Sequence, residues 1–207
     1  MKSIALVMIT ITISTLAWTQ QQPASTAMEM HHTHTAGAPV SYAELKDTLA
    51  ILDRTRQATT KYQDVRLARE DGYEAIGPDV PGMGIHFVRT NNHSTVFDAE
   101  QPPILLYESN ASSPGGYSLV GVSYLLVAPE GPDGQPLNSP FPKSLAAWHR
   151  HENICVLPDR SASTRLTEQE CKERSGRFTA ETQWMVHAWI WKESPLGVFS
   201  PTNPNVR

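Results

Sequence analysis

The sequence predicts an α+β fold in which a long N-terminal helix precedes an antiparallel β-sheet or a small barrel. The helix is indicated by an S-x-x-E capping box at Ser41 and Glu44, followed by apolar residues at helical spacing. The sheet is indicated by the chain after Gly72, where short apolar runs alternate with Pro, Gly, Asn and Asp. No repeat and no long linker follows residue 40, so one domain is expected over residues 41–207.

The first 27 residues have the layout of a secretory signal peptide. Lys2 provides a positive charge, and an uncharged, mostly apolar run from Ser3 to Trp18 follows, which is too short to span a bilayer. Small residues favour a cut after Ala17 or after Ala27. We therefore expect an exported protein, periplasmic or secreted, without stable membrane insertion.

Residues 28–40 form a polar arm that is expected to be flexible, because it has few large apolar side chains to offset the entropy of ordering. Its thioether and imidazole donors are Met28, Met30, His31, His32 and His34. This mixture of donors suits copper in either oxidation state, and an ordinary polar tail is the alternative.

The helix is expected to run from Ser41 to a stop at Gly72, and a break near Thr59 and Thr60 is left open. Its apolar positions are Tyr42, Leu45, Leu49 and Leu52. The candidate strands are Ile85 to Val88, Ile104 to Glu108, Tyr117 to Val127, His149 to Leu157 and Trp184 to Trp191. A short helix from Thr167 to Arg174 is predicted between the last two strands.

The charge balance argues against two classes of partner. The net charge is −4, 18% of the residues are charged, and no basic cluster is present, so nucleic acid and anionic membrane surfaces are not expected to bind. The sequence also lacks a G-x-S-x-G elbow, an H-E-x-x-H helix and a Walker loop. A metal ion and a small-molecule ligand remain as candidate partners, and enzymatic activity is left open.

Cys155 and Cys171 are the two cysteines of the chain, and they predict a disulfide. An exported protein meets an oxidising compartment, where two such thiols are normally bonded to each other. Closing so short a loop contributes roughly 3 kcal/mol to stability in the chain-entropy model. A thiolate metal ligand at Cys155 is the competing interpretation, which the same redox argument disfavours.

Histidines in or near the predicted strands are the main candidate metal ligands. The strand period of two places His149, His151 and Asn153 on one face, which would present two imidazoles to one cation such as zinc or copper. An exposed, solvated pair is an equally weighted alternative. His86 follows two glycines that allow close approach of the backbone, and it is either a third ligand or a hydrogen-bonded core residue.

His187 lies in the most apolar run of the mature chain. An unpaired imidazole buried there would cost on the order of 1 to 3 kcal/mol, so this ring is expected to be either hydrogen-bonded or metal-bound. Glu108 ends a predicted strand and is a reserve carboxylate ligand, with a solvated carboxylate as the alternative.

Several segments, in order between residues 65 and 206, resemble a family of exported bacterial proteins, many of them lipoproteins, that lacks an established function. The segments are Gly82 to Phe87, Leu105 to Glu108, Leu119 to Val122, Met185 to Trp191, Pro195 to Phe199 and Asn203 with Pro204. The resemblance implies an envelope or secreted location and recurrence of the histidines at positions 86 and 187. The chain departs from the family in lacking a lipobox cysteine and in having Ser123 where an acidic residue is frequent.

These features favour an exported metal-binding protein. Its proposed ligands to one divalent transition metal, copper or zinc, are His86, His149, His151 and His187, with Glu108 in reserve. A cupin-like metalloenzyme on a small barrel is the sharpest form of this hypothesis, although the Glu and glycine positions expected around the histidine pair are not clearly present. The alternative is a metal-free envelope binding module with an aromatic core or cleft at residues 184–191.

Overall fold

The computed structural model describes residues 39–89 and 96–207. Its helices are α1 (Tyr42–Thr59), α2 (Val65–Glu70) and α3 (Glu168–Glu173). Its strands are β1 (Tyr73–Val80), β2 (Gly84–Arg89), β3 (Ile104–Ser109), β4 (Tyr117–Leu126), β5 (Glu152–Val156), β6 (Ala162–Ser163), β7 (Arg177–Glu181) and β8 (Trp184–Ala188). The predicted signal peptide and the arm up to residue 38 lie outside the described residues.

The strands form two antiparallel sheets, one with the order β1-β2-β3-β4-β8 and one with the order β6-β5-β7. The mixed α and β composition is confirmed, but the sheets are open, and the small barrel is wrong. Closing a barrel would require the edge strands β1 and β8 to pair with each other, but both form hydrogen bonds with other segments of the backbone. His149 exchanges two hydrogen bonds with Met185 on β8, of 2.9 and 2.7 Å, and the N–H of Gly77 on β1 donates to the carbonyl of Arg160.

The helix predicted from Ser41 to Gly72 is divided in two, and the division lies near Thr59 and Thr60, where the sequence left a break open. The capping box at Ser41 and Glu44 is present and starts α1, but a 3-10 turn at Thr60–Gln63 separates α1 from α2. Asp64 then caps α2 by accepting a hydrogen bond from the N–H of Arg66. No helix in the described part of the chain is long and apolar enough to cross a membrane.

The buried face of α1 differs from the predicted one. Leu52 is buried, but Tyr42, Leu45 and Leu49 are exposed, and the other buried positions are threonines. These threonines tolerate burial because their hydroxyls donate to carbonyls one turn earlier, as Thr48 does to Glu44 at 2.8 Å and Thr59 does to Thr55 at 2.8 Å. The remaining buried threonine, Thr55, bonds to the Ile51 carbonyl and the Tyr124 hydroxyl.

The five-stranded sheet has apolar side chains on both faces. One face forms a large core with α1 and α2, to which Phe87, Tyr107 and Val186 contribute. The other face carries a smaller cluster, whose buried members are Ile104, Leu106, Val120, Met185, Trp189 and Val206. The C-terminal segment covers this second face through Val206 and through a 2.7 Å bond from the Trp189 indole to the Ser200 carbonyl.

The predicted disulfide is present and joins the second sheet to α3. Cys155 on β5 and Cys171 on α3 are bonded and fully buried. Thr167 and Glu170 form a capping box at the start of α3, as the sequence indicated for Thr167. Gly176 follows α3 and lies directly against the bridge, because a Cβ at this position would be 2.8 Å from both sulfur atoms.

Replacing Gly176 with Ala is expected to lower the free energy of unfolding by about 1 to 3 kcal/mol, because the methyl group would overlap both sulfurs. Urea unfolding measures this change. The matched background is Cys155→Ala with Cys171→Ala, in which the sulfurs are gone and the Gly176→Ala penalty should largely disappear. An equal penalty in both backgrounds would show that the disulfide is not what limits the space.

Candidate functional site

Four histidines from three segments of the chain meet in the structure. The Nε2 atoms of His86 and His187 are 3.4 Å apart, and their ring centroids are 5.4 Å apart. The ring of His149 lies 5.3 Å from that of His187 and 5.1 Å from that of His151. The structure therefore brings together all four histidines that the sequence singled out as ligands, and we call them the histidine cluster.

The sheet positions two of these rings. His86 lies on β2 opposite Leu106, and His187 lies on β8 opposite Ser123. β3 and β4 separate these two strands, but β4 carries only Gly121 and Ser123 on the intervening part of this face. These small residues leave space for the imidazoles to meet above the sheet.

The other two histidines precede β5. The strand predicted from residue 149 begins only at Glu152, and Asn153 has φ +55° and is exposed, so the predicted alternation does not extend to it. His149 is instead held by its backbone bridge to Met185, and the His151 N–H donates to the Thr182 hydroxyl at 2.9 Å. This backbone pairing delivers both rings to the cluster.

Backbone carbonyls determine which nitrogen carries the lone pair in two of the rings. The Nδ1 of His187 lies 2.7 Å from the carbonyl of Pro201, and the Nδ1 of His149 lies 3.2 Å from the carbonyl of Ala147. A carbonyl can only accept, so each Nδ1 is the protonated donor. In the neutral rings the lone pair is therefore on Nε2. It follows that His86 is the donor in its Nε2 to Nε2 contact with His187.

The cluster is shielded from solvent, and this affects its protonation. His187 and His149 are buried, while His86 and His151 are partly buried. Burial lowers the pKa of His86 to about 4, with a contribution from the charge of His151. Burial and the neighbouring His86 and His149 hold the pKa of His187 well below its usual range. Burial also lowers the pKa of His151, so these three rings are neutral at pH 7.

The metal-free protein is expected to lose stability as the pH falls from 7 to 4.5. The usual pKa of 6.5 in the unfolded chain exceeds the value of about 4 for His86 in the folded protein. Below pH 6.5 the unfolded state therefore binds protons that the folded state does not, and His86 alone removes up to about 3 kcal/mol. Urea unfolding of the wild type and of His86→Gln, both in chelator, measures this effect. The stability lost by the wild type should exceed that of the variant, and equal losses would contradict the assignment.

The C-terminal segment and the glycine turn before β2 hold the cluster in place. The N–H of Asn203 donates to the carbonyl of Gly82 at 2.8 Å, and the N–H of Gly82 donates to the carbonyl of Val206 at 3.1 Å. Gly84 has φ +70°, and a Cβ at this position would overlap the carbonyl of Tyr107. The close approach of backbone expected at these glycines is confirmed.

Glu108 is bound to other groups. Its carboxylate oxygens accept hydrogen bonds from the Lys192 ammonium at 2.7 and 2.8 Å and from the N–H of Arg207 at 3.3 Å. Its side chain is only 12% exposed, so this ion pair is well shielded. To act as a metal ligand, Glu108 would have to leave Lys192. The sequence did not predict that Lys192 would pair with Glu108 or that the carbonyl of Pro201 would bind His187. A lysine or a proline in a loop carries no local pattern that indicates its partner.

Within the described ranges, no group of three or more His, Cys, Asp or Glu side chains is placed so that it could hold a metal ion as it stands. The neighbouring rings of the cluster cross at 57°, 81° and 84°. A shared ion would need rotation about the side-chain torsions and transfer of the His86 proton from Nε2 to Nδ1.

The chain matches no protein-family model, no curated protein and no solved structure with which it was compared. Function therefore has to be inferred from the chemistry of the residues.

Proposed function

We propose that this is an exported metal-binding protein in which the histidine cluster binds one divalent transition metal ion, zinc or copper. The observation that carries the proposal is the meeting of four imidazoles, from β2, β8 and the segment before β5, at a shielded position on one face of the sheet. Placing four titratable rings side by side has a cost in desolvation, and a shared cation is a physical reason for the arrangement.

The tautomers support this proposal. Histidines that bind metals usually donate their second ring N–H to a carbonyl or carboxylate, which orients the ring and leaves the other nitrogen as the ligand atom. His187 and His149 make such bonds to the carbonyls of Pro201 and Ala147. The low pKa values of His86, His151 and His187 act in the same direction, since a ligand nitrogen must be unprotonated.

The donor chemistry favours zinc or copper over magnesium or calcium. The cluster offers neutral nitrogen atoms, whereas magnesium and calcium prefer oxygen ligands. Four imidazoles would complete a tetrahedral zinc site, and three would leave a position for water or substrate.

The exported location is part of the same proposal. The buried disulfide is consistent with an oxidising compartment. The signal peptide predicted from the sequence and the resemblance to exported bacterial proteins favour the same location.

The test is elemental analysis by mass spectrometry of the untagged protein purified from its native compartment. We expect close to one zinc or copper ion per chain. The matched control replaces His31, His32 and His34 with Gln, so that metal held by the arm is distinguished from metal held by the cluster. The control should keep its metal. A wild-type protein that holds no metal after incubation with zinc or copper and desalting would contradict the proposal and favour the metal-free binding module.

A further inference from the structure

A cleft of about 460 Å³ opens between the two sheets, on the same face as the histidine cluster. Its lining adjoins all four histidines. Ile76 is the ladder partner of His86, Met185 is bridged to His149 and lies two residues from His187, and Thr182 accepts from the N–H of His151. The volume lies in the range of small-molecule sites, which is about 300 to 1,000 Å³.

The lining of the cleft combines apolar and charged side chains. Its apolar members include Val88, Leu125, Ile154 and Met185, which are buried or half-buried. Its charged members are Arg89, Arg177 and a single carboxylate, that of Asp98. A ligand that satisfies both kinds of lining has an apolar body and a negative charge.

The arginines differ in how they are bound. Arg89 donates to the side chain of Gln101 at 2.9 Å. Arg177 is exposed and, within the described ranges, takes part in no salt bridge, whereas Arg66, Arg150 and Arg160 each pair with a carboxylate. Its guanidinium is therefore available to an incoming anion.

We propose that this cleft binds a small amphipathic organic anion, whose apolar part packs against the apolar lining and whose charged group faces Arg177. The proposal does not depend on a bound metal. The four histidines do not themselves line the cleft, but their backbone neighbours Ile76, Thr182 and Met185 do.

The test is a fluorescence titration of the metal-stripped protein, in chelator, that measures its affinity for two probes with the same carbon skeleton. Anilinonaphthalene sulfonate is anionic, and N-phenylnaphthylamine is neutral. Arg177→Gln is expected to weaken binding of the anionic probe about fivefold, as loss of one exposed charge contact should, and to leave the neutral probe unchanged. Arg177→Lys, which keeps the charge, should stay within about twofold of the wild type.

Two further variants locate the site. Arg174→Gln removes an exposed arginine that does not line the cleft, and should change neither titration. Thr179→Trp fills the cleft and should weaken both probes. Absence of binding, or equal effects of Arg177→Gln and Arg174→Gln on the anionic probe, would overturn the proposal. Unchanged binding in Thr179→Trp would place the probes elsewhere, for example on the exposed Tyr42, Leu45 and Leu49 of α1, and would overturn it as well.

Discussion

Substituting His187 with Gln is expected to lower the zinc affinity of the protein at least about 100-fold, since changes to groups that merely orient a ligand already cost about 10- to 100-fold. His187 contacts both His86 and His149. It is almost fully buried, and its Nδ1 donates to the carbonyl of Pro201 in the C-terminal segment. Its loss removes the ring that links the two halves of the cluster. Competition with a chromophoric zinc chelator measures the affinity.

Because His187 is buried, its variant could also lose stability, and a second variant separates the two effects. His151 is only partly buried and its ring is at the end of the cluster, so His151→Gln should fold normally and still bind zinc more weakly. Zinc at 100 times its dissociation constant should stabilise the wild type by about 2.7 kcal/mol, and should stabilise both variants much less at the same concentration. An unchanged zinc affinity in both variants would exclude the histidine cluster as the metal site.

Replacing Gly84 with Ala is expected to destabilise the protein by about 3 kcal/mol or more, which corresponds to a fall in melting temperature of roughly 6 to 12 °C. Two penalties combine at this position. The backbone has φ +70°, which an Ala adopts only at a cost, and the new Cβ would overlap the carbonyl of Tyr107 on the neighbouring strand. Thermal unfolding followed by circular dichroism measures the change.

Gly116→Ala is the matched control for this effect. Gly116 has a similar φ of +83°, but a Cβ there meets nothing within 4 Å, so the substitution should cost only about 1 to 2 kcal/mol. The difference between the two variants isolates the close approach to Tyr107. If both variants lost the same stability, the backbone conformation alone would account for the loss in Gly84→Ala, and the steric explanation for Gly84 would be wrong.

Local features were predictable where the stabilising contacts lie within a few residues. The caps at Ser41 and Thr167 are examples, because each side chain bonds to the backbone three residues ahead. The disulfide was predictable for a different reason, since an oxidising compartment and only two cysteines leave one pairing within the chain.

Features that depend on neighbouring strands were missed or wrong. β1 contains Gly77 and Pro78, which are typical of turns, but β1 lies at the edge of its sheet, where a missing N–H is tolerated. β7 is mostly exposed and carries no apolar alternation. β8 ends at Ala188 rather than at Trp191, because the N–H groups of Trp191 and Lys192 donate to Val120.

The sequence by itself determined which side chains could serve a metal site, because residue type and local pattern decide what donor a position offers. Only the tertiary structure decided that His86, His149, His151 and His187 meet, that Glu108 is bound to Lys192, and that a cleft opens beside the cluster. The physical reason is that these contacts join residues as far as 101 positions apart. The geometry of these contacts depends on strand pairing, on the small residues of β4 and on the path of the C-terminal segment. No local sequence pattern predicts any of these three features.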